Sequence, residues 1–166
     1  MLLVRHSLPE IDPARPAEEW PLSEEGRARC ERLAVQVGEY RAQLLLSSPE
    51  RKALETAELI APTLGLEVQP NDDLREHERR TLPFLPRAEF LRRMRAFFAR
   101  PDEVVVGEES ANAARARFAA VVDAIDGPAV MVTHGTVIAL YVAGSDPDGG
   151  FAFWKTLALP DVVEVR

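Results

Sequence analysis

Cysteine is nearly absent. Cys30 is the only one in 166 residues, which excludes an intrachain disulfide framework and a cysteine-rich zinc site. Long apolar runs are missing as well: none approaches the roughly 18–20 residues that span a bilayer. The N-terminal Met1-Leu2-Leu3-Val4 turns polar at Arg5 and His6, too soon for the core of a signal peptide. Positive charge is in deficit, with 20 Lys and Arg against 27 Asp and Glu and a net charge of −7. That balance argues against a general nucleic-acid binder, whose affinity comes from neutralising phosphates. What is present is ordinary for a globular chain: 46% apolar and 28% charged residues. At roughly 100–200 residues per domain, the expectation is one domain over residues 1–166, soluble and cytoplasmic, with no membrane or nucleic-acid partner.

The apolar runs that do occur are short and regularly spaced. Residues 1–5 read as a buried strand that ends at His6, and Pro9, Pro13, Pro16 and Pro21 make the next stretch a loop. Ser23 is placed to cap a helix with Glu24 and Glu25 in its first turn, running to about Tyr40. Cys30, Leu33, Ala34 and Val37 recur on its apolar stripe, so Cys30 reads as a small core residue. Residues 44–48 form a second strand, and Ser48-Pro49 predicts a helix start with serine as cap and proline in the first turn. Gly65 is the expected stop, followed by an edge strand over 66–69 and helices near 87–100 and 111–125. Residues 129–133 give the strongest strand signal, ending at His134-Gly135; a helix to Ala143, a loop over 146–150 and a closing strand over 162–165 complete the pattern. Strands alternating with helices predict a three-layer α/β/α domain with a mostly parallel central sheet. Ligands in such sheets sit beyond the carboxyl ends of the strands.

Those ends carry the chemistry. Of the three histidines, His6, His77 and His134, two fall directly after expected central strands, one behind Arg5 and the other before Gly135. A lone histidine at such a place is usually a satisfied core residue. Two at equivalent ends of one sheet edge suggest a shared site.

The motifs in chain order resemble the histidine phosphatase superfamily, the phosphoglycerate-mutase-like fold. Arg5-His6-Ser7 is similar to its Arg-His-Gly signature, and Leu22-Ser23-Glu24-Glu25-Gly26 to its Leu-Thr-x-x-Gly element. Ser47-Ser48-Pro49-Glu50-Arg51-Lys52-Ala53-Leu54-Glu55-Thr56-Ala57 resembles the Ser-Ser-x-x-x-Arg-Ala-x-x-Thr-Ala helix start. Leu74-Arg75-Glu76 is similar to the segment that supplies the acid, Gly107-Glu108-Glu109-Ser110 to a Gly-Glu-Ser turn, and Val132-Thr133-His134-Gly135 to the second histidine motif.

The resemblance implies a metal-independent, cofactor-free phosphomonoesterase acting through phosphohistidine on a small phosphorylated molecule. His6 is matched to the nucleophile, Glu76 to the general acid, and Arg5, Lys52 and His134 to the phosphate pocket; Ser7 and Gly135 are matched to substrate contacts. A neutral imidazole is a competent nucleophile at phosphorus, and cations stabilise the transferred group. Two positions depart from the pattern: Ser7 replaces a glycine, its hydroxyl either joining or narrowing the pocket rim, and Lys52 replaces an arginine. At about 100° per residue, Arg51 lies opposite the buried stripe of Ala53, Ala57, Ile60 and Leu64 and pairs with Glu55, whereas Lys52 lies on the flank with Thr56 and Leu59.

Other features carry competing meanings. The charge run 75–80 reads as a solvated segment, though His77 with Glu76 or Glu78 could ligate a metal, and Arg79 and Arg80 could reach an anionic substrate. Phe90, Phe97 and Phe98 fit a core stripe, while Trp154 fits either a pocket mouth or packing. The alternatives to a phosphomonoesterase are a phosphate-binding regulatory module with weakened catalysis, a protein phosphohistidine phosphatase, and a metal hydrolase built on the three histidines.

Overall fold

The short apolar runs become strands and the striped segments between them become helices. The computed structural model describes residues 1–144 and 146–165. In chain order they form β1 (Leu2–Arg5), α1 (Glu24–Gly38), β2 (Leu44–Ser47), α2 (Arg51–Leu64), β3 (Val68–Pro70), α3 (Arg87–Ala99), α4 (Ala111–Asp123), β4 (Ala129–Thr133), α5 (Gly135–Ala143), α6 (Pro147–Thr156) and β5 (Asp161–Glu164). Single 3-10 turns lie at Ala17–Glu19 and Asp72–Leu74.

The sheet runs β3-β2-β4-β1-β5, with β3, β2, β4 and β1 mutually parallel and β5 antiparallel at the edge. Alternation along the strands divides the core. Leu3, Leu46 and Met131 face Phe97, Phe118 and Ile138 on one side. Leu2, Val4, Leu45, Val130 and Val132 face Leu33, Val37, Ala53, Ala57 and Ile60 on the other. Fully burying such a side chain stabilises by about 1.5–3 kcal/mol, so a parallel sheet covered on both faces is the stable solution for this pattern. The expected three-layer α/β/α architecture is the one adopted.

Ser23 caps α1 as expected, its Oγ accepting from the Gly26 amide at 3.0 Å. Cys30 is buried on that helix. The start of α2 differs from the expectation. The cap is Glu50, not Ser48, because the Ser48 amide donates to the Val132 carbonyl (2.9 Å) and keeps Ser48 and Pro49 extended off the sheet. The edge strand begins at Val68, where pairing with Leu45 starts, since Leu66 still donates to Ala61 at the helix end. The expected loop 146–150 is instead the first turn of α6, with the Asp146 side chain accepting from the Gly149 amide (3.0 Å). The Asp-Pro pair there is a cap and first-turn signal that the two glycines masked.

Candidate active site

Sheet register assembles the site. Arg5 lies opposite Thr133, and the His6 amide donates to the Thr133 carbonyl (2.9 Å), as Ser48 does to Val132. Three adjacent strands, β2, β4 and β1, therefore deliver Ser48, His134 and His6 to one edge. The two imidazoles meet there, ring centroids 5.1 Å apart and planes inclined by 61°.

Hydrogen bonding distinguishes the rings. His6 Nδ1 lies 2.7 Å from the Ser7 carbonyl. A carbonyl only accepts, so Nδ1 carries the proton and Nε2 keeps its lone pair. His134 Nε2 lies 2.8 Å from Ser48 Oγ and 3.6 Å from Glu50 Oε1. Burial pushes the pKa of both rings well below the ordinary histidine value; Lys52 adds to this for both, and His134 adds to it for His6. Both rings are neutral near pH 7.

The charges around them form a chain of contacts. Lys52, buried on the flank of α2 beside Thr56, donates to the Ala17 carbonyl (2.8 Å) and to Glu50 Oε2 (2.5 Å). Glu50 Oε1 accepts from the Glu76 amide at 2.7 Å. Glu76 Oε2 accepts from Thr136 Oγ1 at 3.0 Å and faces Arg79 Nη2 at 3.5 Å. Burial pushes the Glu76 carboxyl up, but Arg79, together with the His77 amide that donates to Oε1 (2.9 Å), outweighs it and holds the pKa at about 2. Arg5 donates from Nη1 to the Leu157 carbonyl (2.6 Å) and lies so close to Gly135 that a Cβ there would sit 3.0 Å from Nε. Arg5 Nε and His134 Nδ1 are buried without a hydrogen-bond partner among the described residues. An arrangement of two neutral imidazoles, two guanidinium groups and a lysine can bind a tetrahedral anion and present a nucleophilic nitrogen to it.

The structure brings together His6, Arg5, Lys52, His134 and Glu76 and corrects other expectations. Ser7 does not reach a rim: its hydroxyl is fully buried and donates to the Gly26 carbonyl (2.7 Å). Its amide donates to Thr56 Oγ1 (3.0 Å). Gly135 packs under Arg5, where the lack of a side chain is a backbone requirement. Arg51 pairs with Glu55 at 3.0 Å as the helix geometry implies, whereas Leu59 is exposed and shares little of the flank with Lys52. Arg79 joins the site. Arg80 instead points to Glu18, 2.8 Å away. His77 packs against Phe97 at a tilt of 45° (4.2 Å between centroids) and donates from Nε2 to the Glu109 carbonyl (2.9 Å), so it serves packing. Among the described residues no group of three or more His, Cys, Asp or Glu is arranged to hold a metal ion. Trp154 packs with Phe90, Phe98 and Phe151.

Glu50, Thr136 and the strap behind Glu76 escape sequence reasoning. Glu50 precedes the helix, so no periodicity assigns it a face; the only hint is a carboxylate two residues before a flank lysine. The strap is Arg117, which donates to the carbonyls of Asp73 (2.7 Å) and Arg75 (3.1 Å) and pairs with Glu109 at 2.9 Å. Gly107, at φ +68°, lets the backbone approach closely: a Cβ would fall 2.1 Å from the Glu78 carbonyl.

The family model of the histidine phosphatase superfamily (branch 1) matches residues 1–160, which puts the protein in the class of phosphoric monoester hydrolases. The chain belongs to that superfamily. No curated protein matches it. Among solved structures it is similar to mycobacterial glucosyl-3-phosphoglycerate phosphatase in complex with inorganic phosphate, at 28% identity and TM-score 0.69 over 86% of this chain and 76% of that one. A mutant phosphoserine phosphatase from Entamoeba histolytica in complex with phosphoserine shares the fold at TM-score 0.75 and 18% identity, covering 99% and 90%. The putative phosphohistidine phosphatase from Agrobacterium tumefaciens shares it at TM-score 0.61 and 14% identity, covering 97% and 86%.

Proposed function

We propose that the protein is a metal-independent phosphomonoesterase that acts on a small phosphorylated molecule through a phosphohistidine at His6. The observation that carries this reading is the His6 ring: neutral, fixed through Nδ1 and 5.1 Å from a second neutral imidazole, with Lys52 and Arg5 close by. Nε2 attacks phosphorus as the ester P–O bond breaks, and water then hydrolyses the N–P bond. Arg5, Lys52 and His134 hold the phosphoryl oxygens, where fixed cations and donors supply most of the catalysis. The unsatisfied Arg5 Nε supports an anion as the missing partner, because a buried donor left unpaired costs about 1–3 kcal/mol.

Glu76 supplies the proton to the leaving oxygen and then activates water. In the free site it is ionised. A bound phosphoryl group adds negative charge nearby, which raises the proton affinity of Glu76. Its retention, held by Thr136 Oγ1, favours an alkyl ester with a poor leaving group over a phosphoramidate, which needs an acid less. The similarity to a glucosyl-3-phosphoglycerate phosphatase in complex with inorganic phosphate supports a small metabolite as substrate.

The test is hydrolysis of p-nitrophenyl phosphate without added metal. Turnover that survives a chelator and is lost in His6→Ala is the expected result. Binding of phosphate esters with no turnover in the unmodified protein would favour a regulatory module. Loss of activity on chelation would favour a metal hydrolase.

A further inference from the structure

The cation assigned to the phosphate pocket is already neutralised. Lys52 Nζ sits 2.5 Å from Glu50 Oε2 in a site where both side chains are almost wholly buried. The other oxygen of Glu50 accepts from the Glu76 amide (2.7 Å) and lies 3.6 Å from His134 Nε2. The charged and titratable groups that face Glu50 are Lys52 on α2, Glu76 and Arg79 on the segment after Leu74, and His134 at the end of β4, with Arg80 farther out and paired with Glu18. With both imidazoles neutral, Arg5, Lys52 and Arg79 against Glu50 and Glu76 leave the site a single net positive charge. Asp161 lies across the sheet from Arg5, and its carboxylate accepts from the Ala158 and Val162 amides outside this group. A phosphoryl dianion brings one more negative charge than this site can offset, and it arrives beside a carboxylate in a poorly hydrated setting where like charges repel strongly.

Building on the phosphatase reading above, we propose that Glu50 is a specificity-determining residue that sets the charge of the phosphoryl group this site accepts. The site takes a singly charged phosphoryl group, so that one proton enters with it, shared between a phosphoryl oxygen and the Glu50 carboxylate. Substrates whose phosphoryl group is singly charged at working pH are favoured over full dianions. Replacing the carboxylate with an amide keeps one acceptor oxygen, for Lys52 or for the Glu76 amide but not for both, and it frees one unit of positive charge for the ligand.

Inorganic phosphate is the probe, with its dissociation constant followed by phosphorus NMR between about pH 5.5 and pH 8.5. In the unmodified protein, affinity falls roughly tenfold per pH unit above the second ionisation of phosphate, as uptake of one proton requires. In Glu50→Gln that slope disappears, and binding at about pH 8 becomes at least roughly tenfold tighter. A flat profile in the unmodified protein, which needs no variant, overturns the proposal. So does a slope that survives in Glu50→Gln, since the proton would then sit on Glu76 or on the imidazoles. No phosphate binding at any pH, in a folded protein that also fails to turn over p-nitrophenyl phosphate, contradicts the phosphatase reading itself and this proposal with it.

Discussion

Lys52 shows how much one residue decides. A lysine offers a point charge where a guanidinium offers a planar fork of donors, and part of its charge is spent on Glu50. Lys52→Arg is expected to retain or raise kcat/KM for p-nitrophenyl phosphate; a clear loss would show that the ammonium has a role the fork cannot fill. Lys52→Gln leaves Glu50 unpaired beside the incoming anion, and kcat/KM should fall by about 10²–10³, the usual loss for one fixed donor to a transferring group. At this scale the sequence was informative where a residue follows a strand or lies on a helical stripe. His6, His134, Arg51 and Lys52 were placed in that way. Glu50 was not, because the extended backbone before α2 orients it and no repeat runs through that position. Ser7 was misplaced for a related reason. Only the packing of α1 brings the Gly26 carbonyl within reach of its hydroxyl.

At the scale of elements, the strand ends provide a rigid edge and a strapped loop provides the acid. Glu76 belongs to no helix or strand, and its position depends on Arg117 of α4 holding the carbonyls of Asp73 and Arg75 while Glu109 neutralises the guanidinium. Removing one partner of such a buried pair strands the other charge. Arg117→Ala should therefore lose about 3 kcal/mol of stability in urea denaturation, and the surviving folded protein should lose turnover as the acid drifts. Stability within a few tenths of a kcal/mol of the parent would mean that the strap is not needed. Alternation and striping made strands and helices legible, since both come from local periodicity. The start of α2 and the existence of α6 were not, because a ladder bond from another strand moved the first and two glycines disguised the second.

For the whole molecule, burying neutral imidazoles has a consequence for acid stability. His6, His77 and His134 all have pKa values below the ordinary histidine value in the folded state, chiefly through burial. The unfolded chain binds more protons below about pH 6.5, so this contribution is complete above that pH and is lost as pH falls toward the folded values. Glu76 adds a second loss, between the ordinary carboxyl range and its own value of about 2. The denaturation midpoint should stay level from about pH 8 to pH 6.5 and decline below. A midpoint that rose on acidification across that window would contradict neutral burial of the rings. The same low pKa of His6 predicts that the nucleophile stays unprotonated well into mild acid, where the singly charged phosphoryl group is abundant. The fold and the inferred charge preference thus favour the same conditions.

The central claim is a covalent bond between His6 and phosphorus, and rapid quenching of turnover tests it most directly. A substrate labelled in its phosphoryl group should leave label on the protein that is stable in base, labile in acid, confined to the peptide carrying His6 and absent from His6→Ala. Turnover without any trapped label under conditions that slow hydrolysis of the intermediate, or label on another residue, would contradict the account.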